Sequence, residues 1–313
     1  MTPPAVEWQY RPPALPARSR PWLHLLLFLL TLLSMVTAGA LQQGVAPLAG
    51  LRALVHLVEG IPFAATLLAV HEFGHYFAAR RWQVRASLPY FLPLPYLSFL
   101  GTLGAVIRIR SAIPSRRALL DIGAAGPLAG LVVALVACVV GLLQSPVVAA
   151  DQFAEPPLHL GAPLLFAGLA ALALPGVGPE QTVLLDPIAF AGWVGLFITA
   201  FNLFPVGQLD GGHLVYALFG RRHRLVARAF LVLILCLGLY GLSSVFWGWP
   251  RGWPEGWPGW LPLAGFLSLF NRDHPPPVDD HEPLDPRRRL VGYLCLAVFV
   301  GCFAPVPFGT VVF

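Results

Sequence analysis

Apolar positions along this chain fall into long runs, and the polar positions gather between them. Runs long enough to cross roughly 30 Å of hydrocarbon occupy about 22–41, 58–81, 119–144, 187–207, 225–247 and 290–312. A shorter one, about 257–270, follows a Trp/Pro/Gly-rich segment from Trp247 to Trp260. Two further apolar pieces do not read as simple spans. One is 88–109, broken by Pro89, Pro93, Pro95, Gly101 and Gly104; the other is 163–174, which is short and closed by Pro175-Gly176. The pattern predicts an all-α polytopic membrane protein with about seven transmembrane helices (six to eight). It also allows a membrane-re-entrant β-hairpin within 88–109, where 102–110 is rich in β-branched residues and ends in the alternation Val106, Ile107, Arg108, Ile109, Arg110.

Composition agrees. Of 313 residues, 57% are hydrophobic and 11% charged, with a mean hydropathy of +0.72. Soluble domains run near a quarter charged, so a soluble single core and a disordered chain are both excluded. The same composition excludes a nucleic-acid binder despite the pI near 9.3; all 20 basic residues are Arg, and most of them sit at the borders of the apolar runs. Cys138, Cys236, Cys295 and Cys302 lie inside apolar runs without CxxC spacing, so neither a disulfide frame nor a cysteine metal site is expected.

The arginines orient the chain. Arg11, Arg18 and Arg20 precede the first span, Arg80, Arg81 and Arg85 follow the second, and Arg108, Arg110, Arg116 and Arg117 precede the third. Arg221, Arg222, Arg224 and Arg228 follow the fourth, and Arg287, Arg288 and Arg289 precede the last, whereas 145–186 contains no Arg. By the positive-inside rule the N-terminus and the Arg-rich connections are cytoplasmic. The expected location is a bacterial inner membrane. The expected organisation is a cytoplasmic N-terminal segment at 1–21, a first transmembrane helix with an external loop at 22–57, a core at 58–220, and C-terminal helices at 221–313 with a solvated linker at 271–289. The first span is read as a retained anchor, although Ala38-Gly39-Ala40 has the form of a signal-cleavage site.

Ionisable side chains inside a span are costly and therefore functional candidates. The second span ends in His71-Glu72-Phe73-Gly74-His75, the H-E-x-x-H spacing. Four residues advance a helix by about 40°, so the two histidines stack on one face and can share a tetrahedral metal. Glu72 lies beside that face, where a carboxylate can accept a proton from water. The fourth span runs into Asn202-Leu203-Phe204-Pro205-Val206-Gly207-Gln208-Leu209-Asp210-Gly211-Gly212-His213. Pro205 removes a backbone donor and the glycines permit sharp turns, so the helix should open there. Asp210 can then supply the oxygen that two His need for a three-ligand site with an open fourth position. His213 reads as structural, His24 and His223 as solvated at Arg-rich borders, His56 and Glu59 as interfacial, and Asp121 as an N-terminal cap or dipole partner.

These two clusters resemble the site-2 protease family of intramembrane zinc metalloproteases, whose paired motifs H-E-x-x-H and N-x-x-P-x-x-x-L-D-G are both matched. Gly101-Thr102-Leu103-Gly104-Ala105-Val106-Ile107 and Ala125-Gly126-Pro127-Leu128-Ala129-Gly130 are similar to the plastid and cyanobacterial branch. Gly130 departs from the Asn that many bacterial members carry there. The resemblance implies one zinc per chain, held by His71, His75 and Asp210, with Glu72 as general base and later proton donor. It implies Asn202 as a hydrogen-bond donor to the substrate or the oxyanion; capping the Pro205 break is an alternative role for that residue. The implied partners are a transmembrane protein substrate and the lipid bilayer, and no nucleic acid. Two alternative readings fit the pattern less well. A divalent-metal transporter would show polar residues through several spans, and a membrane zinc protease acting on non-transmembrane peptides is expected to lack the second motif.

Overall fold

The computed structural model describes residues 20–42, 61–94, 101–149, 159–178, 180–247, 256–270 and 274–309. The N-terminal segment before Arg20, the loop bearing His56 and Glu59, and most of the Trp-rich segment lie outside the described residues. Every apolar run but 88–109 carries a helix, and α6 adds one between two of the runs: α1 (Pro21–Gln42), α2 (Ile61–Arg81), α3 (Arg116–Gln144), α4 (Leu164–Ala173), α5 (Pro187–Asn202), α6 (Asp210–Phe219), α7 (His223–Trp247), α8 (Trp260–Phe270) and α9 (Pro286–Cys302). Two short antiparallel ribbons complete the described structure: β1 (Tyr90–Pro93) with β2 (Thr102–Val106), and β3 (Val147–Ala149) with β4 (Gln181–Val183).

Among the described residues, three stretches are long and apolar enough to cross a membrane by length and composition: Pro21–Ala38, Arg116–Gln144 and Asp210–Trp247. The last joins α6 and α7 through a 3₁₀ turn at Gly220–Arg222. Helices α4, α5 and α8 are apolar but shorter. At 1.5 Å per residue, the 11 residues of α8 reach only about 16 Å.

Helix α3 is the hub. It packs against α2 on one side, against α5 and α6 on others, and α9 closes the group. The core at this junction contains Leu119, Leu120, Ala134, Cys138, Trp193, Leu196 and Leu214, all essentially inaccessible. Small residues let the backbones meet. A Cβ on Gly192 of α5 would overlap the backbone nitrogen and the sulfur of Cys138 on α3, the kind of close approach that van der Waals packing between apolar helices requires. Gly192→Ala is therefore expected to destabilise the fold by about 1–3 kcal/mol, read as a lower midpoint of thermal unfolding in detergent.

Helix α3 begins at Arg116, earlier than its apolar run, because Ser115 caps it: the Ser115 Oγ accepts from the Ala118 amide at 3.4 Å. Asp121 is thus not the cap. It lies in the second turn, where it accepts from Trp82 Nε1 at 3.0 Å and from the Arg288 guanidinium at 2.8 and 2.9 Å, tying α3 to the residue just past α2 and to α9.

The β1–β2 ribbon falls within 88–109, pairing Tyr90 with Val106, Phe91 with Ala105 and Pro93 with Thr102 across an irregular register. Its tip, 95–100, is outside the described residues. β1 lies along α1, and β2 touches α2. Two side chains of α1 clamp the ribbon: Ser34 Oγ donates to the Gly101 carbonyl at 2.5 Å, and His24 Nδ1 donates to the Pro89 carbonyl at 3.0 Å. His24 is consequently buried rather than solvated, and so is His223, which packs edge-on against Tyr216.

The stretch from His274 to Asp285 is a strap tied to the start of α3 and not a free linker, although half of its residues are exposed. Val278 and Asp279 donate backbone hydrogen bonds to the Ile113 and Pro114 carbonyls at 3.0 and 2.9 Å. Asp280 pairs with Arg116 at 2.8 Å, and Glu282 with Arg117 at 2.8 Å. Partial burial would raise the Asp280 carboxyl, but the hydrogen bonds and charge of Arg116 outweigh it and hold the group below the usual carboxylate range.

Candidate metal centre

The last turns of α2 carry His71 and His75 on one face, as four-residue spacing on a helix requires. The chain opens between α5 and α6: α5 ends at Asn202, residues 203–209 turn with Gly207 at φ 56°, and α6 starts at Asp210. Pro205 interrupts the helical ladder there, and Gly207 supplies the left-handed backbone that the turn needs. This break brings the start of α6 against the end of α2, although 135 residues separate His75 from Asp210.

Three donor atoms converge. His71 Nε2 and His75 Nε2 are 3.2 Å apart, His75 Nε2 and Asp210 Oδ2 are 3.1 Å apart, and His71 Nε2 and Asp210 Oδ2 are 3.5 Å apart. Ligand atoms roughly 2.0–2.1 Å from a tetrahedral ion stand roughly 3.3–3.4 Å from one another, so this triangle has the dimensions of three corners of a zinc tetrahedron. The proton placement also fits. His75 Nδ1 donates to the Ile122 carbonyl at 2.7 Å, which leaves the Nε2 lone pair facing the cluster. Among the described residues, His71, His75 and Asp210 form the one such group of three ligand-type side chains.

The other two residues singled out in the motifs lie alongside. Glu72 is 8% exposed on the same turn of α2. Asn202 presents Nδ2 3.3 Å from His71 Nε2, so an amide donor stands at the edge of the triangle.

Helix α3 makes the floor. A Cβ on Gly126 would fall within the His75 ring, and one on Gly130 would lie 3.2 Å from His71 Nδ1. The glycine that departs from the bacterial Asn pattern therefore faces the back of a histidine. Gly123 accommodates the first turn of α6, with His213 Cβ 3.0 Å and the Asp210 carbonyl 3.3 Å from where its own Cβ would be.

His274, in the strap, carried no signal in the sequence, since it lies in a Pro- and Asp-rich stretch that reads as a linker. It is 5% exposed, and its Nε2 stands 2.5 Å from His213 Nδ1.

A predominantly helical, strongly apolar chain, with three stretches long and apolar enough to cross a membrane, here closes two histidines of one helix and an aspartate of another into a triangle that could hold a metal ion. The chain belongs to peptidase family M50, the site-2 protease family, whose model matches residues 61–242. It is similar to the probable chloroplastic zinc metalloprotease EGY1 of Oryza sativa subsp. japonica, with 35% identity over 242 residues, which is 70% of this chain and 39% of that protein. EGY2 of Oryza sativa subsp. indica is 34% identical over 190 residues, covering 60% of this chain and 33% of the relative. EGY1 of Arabidopsis thaliana is 39% identical over 158 residues, covering 50% and 28%. The chain thus spans well under half the length of these curated relatives.

Proposed function

We propose that this chain is an intramembrane zinc-dependent endopeptidase that hydrolyses peptide bonds in or near transmembrane segments of membrane proteins. The observation that carries the reading is the triangle of His71, His75 and Asp210, with Glu72 buried beside it and Asn202 at its edge. That it is one compact group among the described residues supports a single centre over the conduction path of a metal transporter.

Zinc held by those three residues would supply Lewis acidity toward a peptide carbonyl and bring the pKa of water toward ~7. Glu72 accepts the proton of the attacking water as its oxygen adds to the carbonyl carbon. It then returns that proton to the departing amide nitrogen as the C–N bond breaks. Asn202 donates through Nδ2 to the oxygen that gains negative charge. A peptide bond inside a helix is shielded by its own turn, so the substrate must be extended. The edge of β2 opposite β1 carries no strand among the described residues, and β2 touches α2. An unwound substrate could add there as a strand beside α2, the helix that carries His71 and Glu72.

The catalytic core is taken as 58–220, between an N-terminal helix and the C-terminal helices. The distribution of Arg supports a cytoplasmic N-terminus for a multi-pass membrane protein; about seven crossings and a bacterial inner membrane complete this reading, although the relatives named above are plant chloroplast proteins. The implied partners are a transmembrane substrate and the bilayer.

Purified protein is expected to hold about one zinc per chain. Chelation should abolish cleavage of a transmembrane reporter, and added zinc, not magnesium, should restore it. Cleavage that persists in metal-free protein would remove the proposal.

A further inference from the structure

His274 is set into a socket of α6 and α7 side chains. Its ring stacks on Tyr216 with centroids 4.6 Å apart and 24° between planes, and meets His213 and His223 edge-on at 4.8 and 5.9 Å. The proton positions in this group follow from its acceptors. The Pro275 carbonyl can only accept, so the 2.7 Å contact to His274 Nδ1 assigns that nitrogen the proton. In a neutral ring His274 Nε2 then carries a lone pair. Burial and the neighbouring His213 push the His274 imidazole down to about 3, so the neutral ring is the form present. The remaining proton of the 2.5 Å contact lies on His213 Nδ1, which donates to His274 Nε2. A chain of two hydrogen bonds therefore runs from His213 through His274 to the strap backbone.

His213 stands three residues after Asp210, in the first turn of α6, and both pack on Gly123 of α3. That turn has no side-chain cap of its own: Leu209 precedes it and makes no capping hydrogen bond. The strap is fixed on its other side to the start of α3 through Asp280–Arg116 and Glu282–Arg117. We propose that His274 is a positioning residue of the metal centre: by accepting the Nδ1–H of His213 it holds the first turn of α6, and with it Asp210, against His71 and His75. The proposal rests on the zinc-site reading above. It adds a residue outside both motifs that sets how firmly Asp210 meets the histidine pair. Its action on the metal is of the outer-sphere kind, where loss of an orienting hydrogen bond typically costs 10–100-fold in metal affinity or activity.

The test is zinc affinity, measured by competition with a chromophoric chelator on the full chain in detergent, with cleavage recorded separately. His274→Phe keeps a flat ring on Tyr216 but removes the acceptor, and is expected to weaken zinc binding by about 10-fold or more. His274→Gln places an amide oxygen near the lost Nε2 and should recover most of that affinity. His213→Leu removes the donor, and the double variant with His274→Phe should be no worse than either single change, because one interaction is lost in all three. If His274→Phe fails to fold, the His274→Gln and His213→Leu measurements decide alone. Unchanged affinity in His274→Phe and His213→Leu, additive losses in the double variant, or a His274→Gln variant as weak as His274→Phe would each overturn the proposal. Wild-type protein that binds no zinc would overturn it together with the metal-centre reading. Wild-type protein that binds zinc without cleaving, while the variants show these affinity losses, would sink the protease reading and leave this one standing.

Discussion

Glu72→Gln is expected to leave the zinc content of the protein unchanged while lowering cleavage of a transmembrane substrate by a factor of about 10²–10⁴. The substitution keeps the length and hydrogen-bonding reach of the side chain but removes its ability to take up a proton. The three donor atoms of the triangle come from His71, His75 and Asp210, and none from Glu72, so the metal should stay. The measurement pairs metal analysis with a turnover assay on the same preparation. Unimpaired cleavage by the variant would eliminate Glu72 as base and proton donor. Loss of zinc would instead show that Glu72 helps hold the ion, a different role for the same carboxylate.

Much of this site can be read locally. The H-E-x-x-H spacing sits on one helix, where periodicity alone stacks His71 on His75. The Asn202 to Asp210 segment announces its own break through Pro205 and Gly207. All the helices but α6 follow the apolar runs, because a long apolar run has few other ways to satisfy its backbone in an apolar medium. What could not be read depends on contacts distant in sequence. Asp121 reads as a cap because the apolar run starts near it, but two arginines occupy the true first turn, and its partner Arg288 is 167 positions away. His24 and His223 sit beside arginines and read as solvated, yet packing against β1 and Tyr216 buries them. The strap is the largest such case. Prolines and aspartates give 274–285 the composition of a free linker, and only partners distant in sequence make it structure, Arg116 among them, 164 positions from Asp280. The number of membrane crossings has the same character: α4, α5 and α8 are apolar but short, and neighbouring helices, not length, decide how they sit.

Gly126→Ala is expected to strip the protein of zinc and of activity, although it adds one methyl group to a helix that would ordinarily gain from it. The reason lies in how His75 is held. Its Nδ1 is tethered to the Ile122 carbonyl of α3, so the ring lies across the α3 surface, and Gly126 is one turn further along that same face. A Cβ on Gly126 would occupy the position of the His75 ring itself. The ring cannot move away without lengthening either its 2.7 Å bond to Ile122 or its 3.1 Å approach to Asp210. Helix α3 has little room to retreat either, because it is already packed against α5, where Cys138 meets Gly192 and Gly141 meets Ala189 without room for a Cβ on either glycine. Gly130→Ala should be milder: the added Cβ would lie 3.2 Å from His71 Nδ1, a strain of a few tenths of an ångström that the ring can relieve by tilting. Gly265→Ala on α8 meets no atom within 4 Å and should behave as wild type. Zinc affinity measured on the three variants should therefore fall in the order Gly265→Ala, Gly130→Ala, Gly126→Ala. A Gly126→Ala protein with full zinc and normal turnover would mean that His75 does not lie against α3, and the floor of the proposed site would have to be built from another helix.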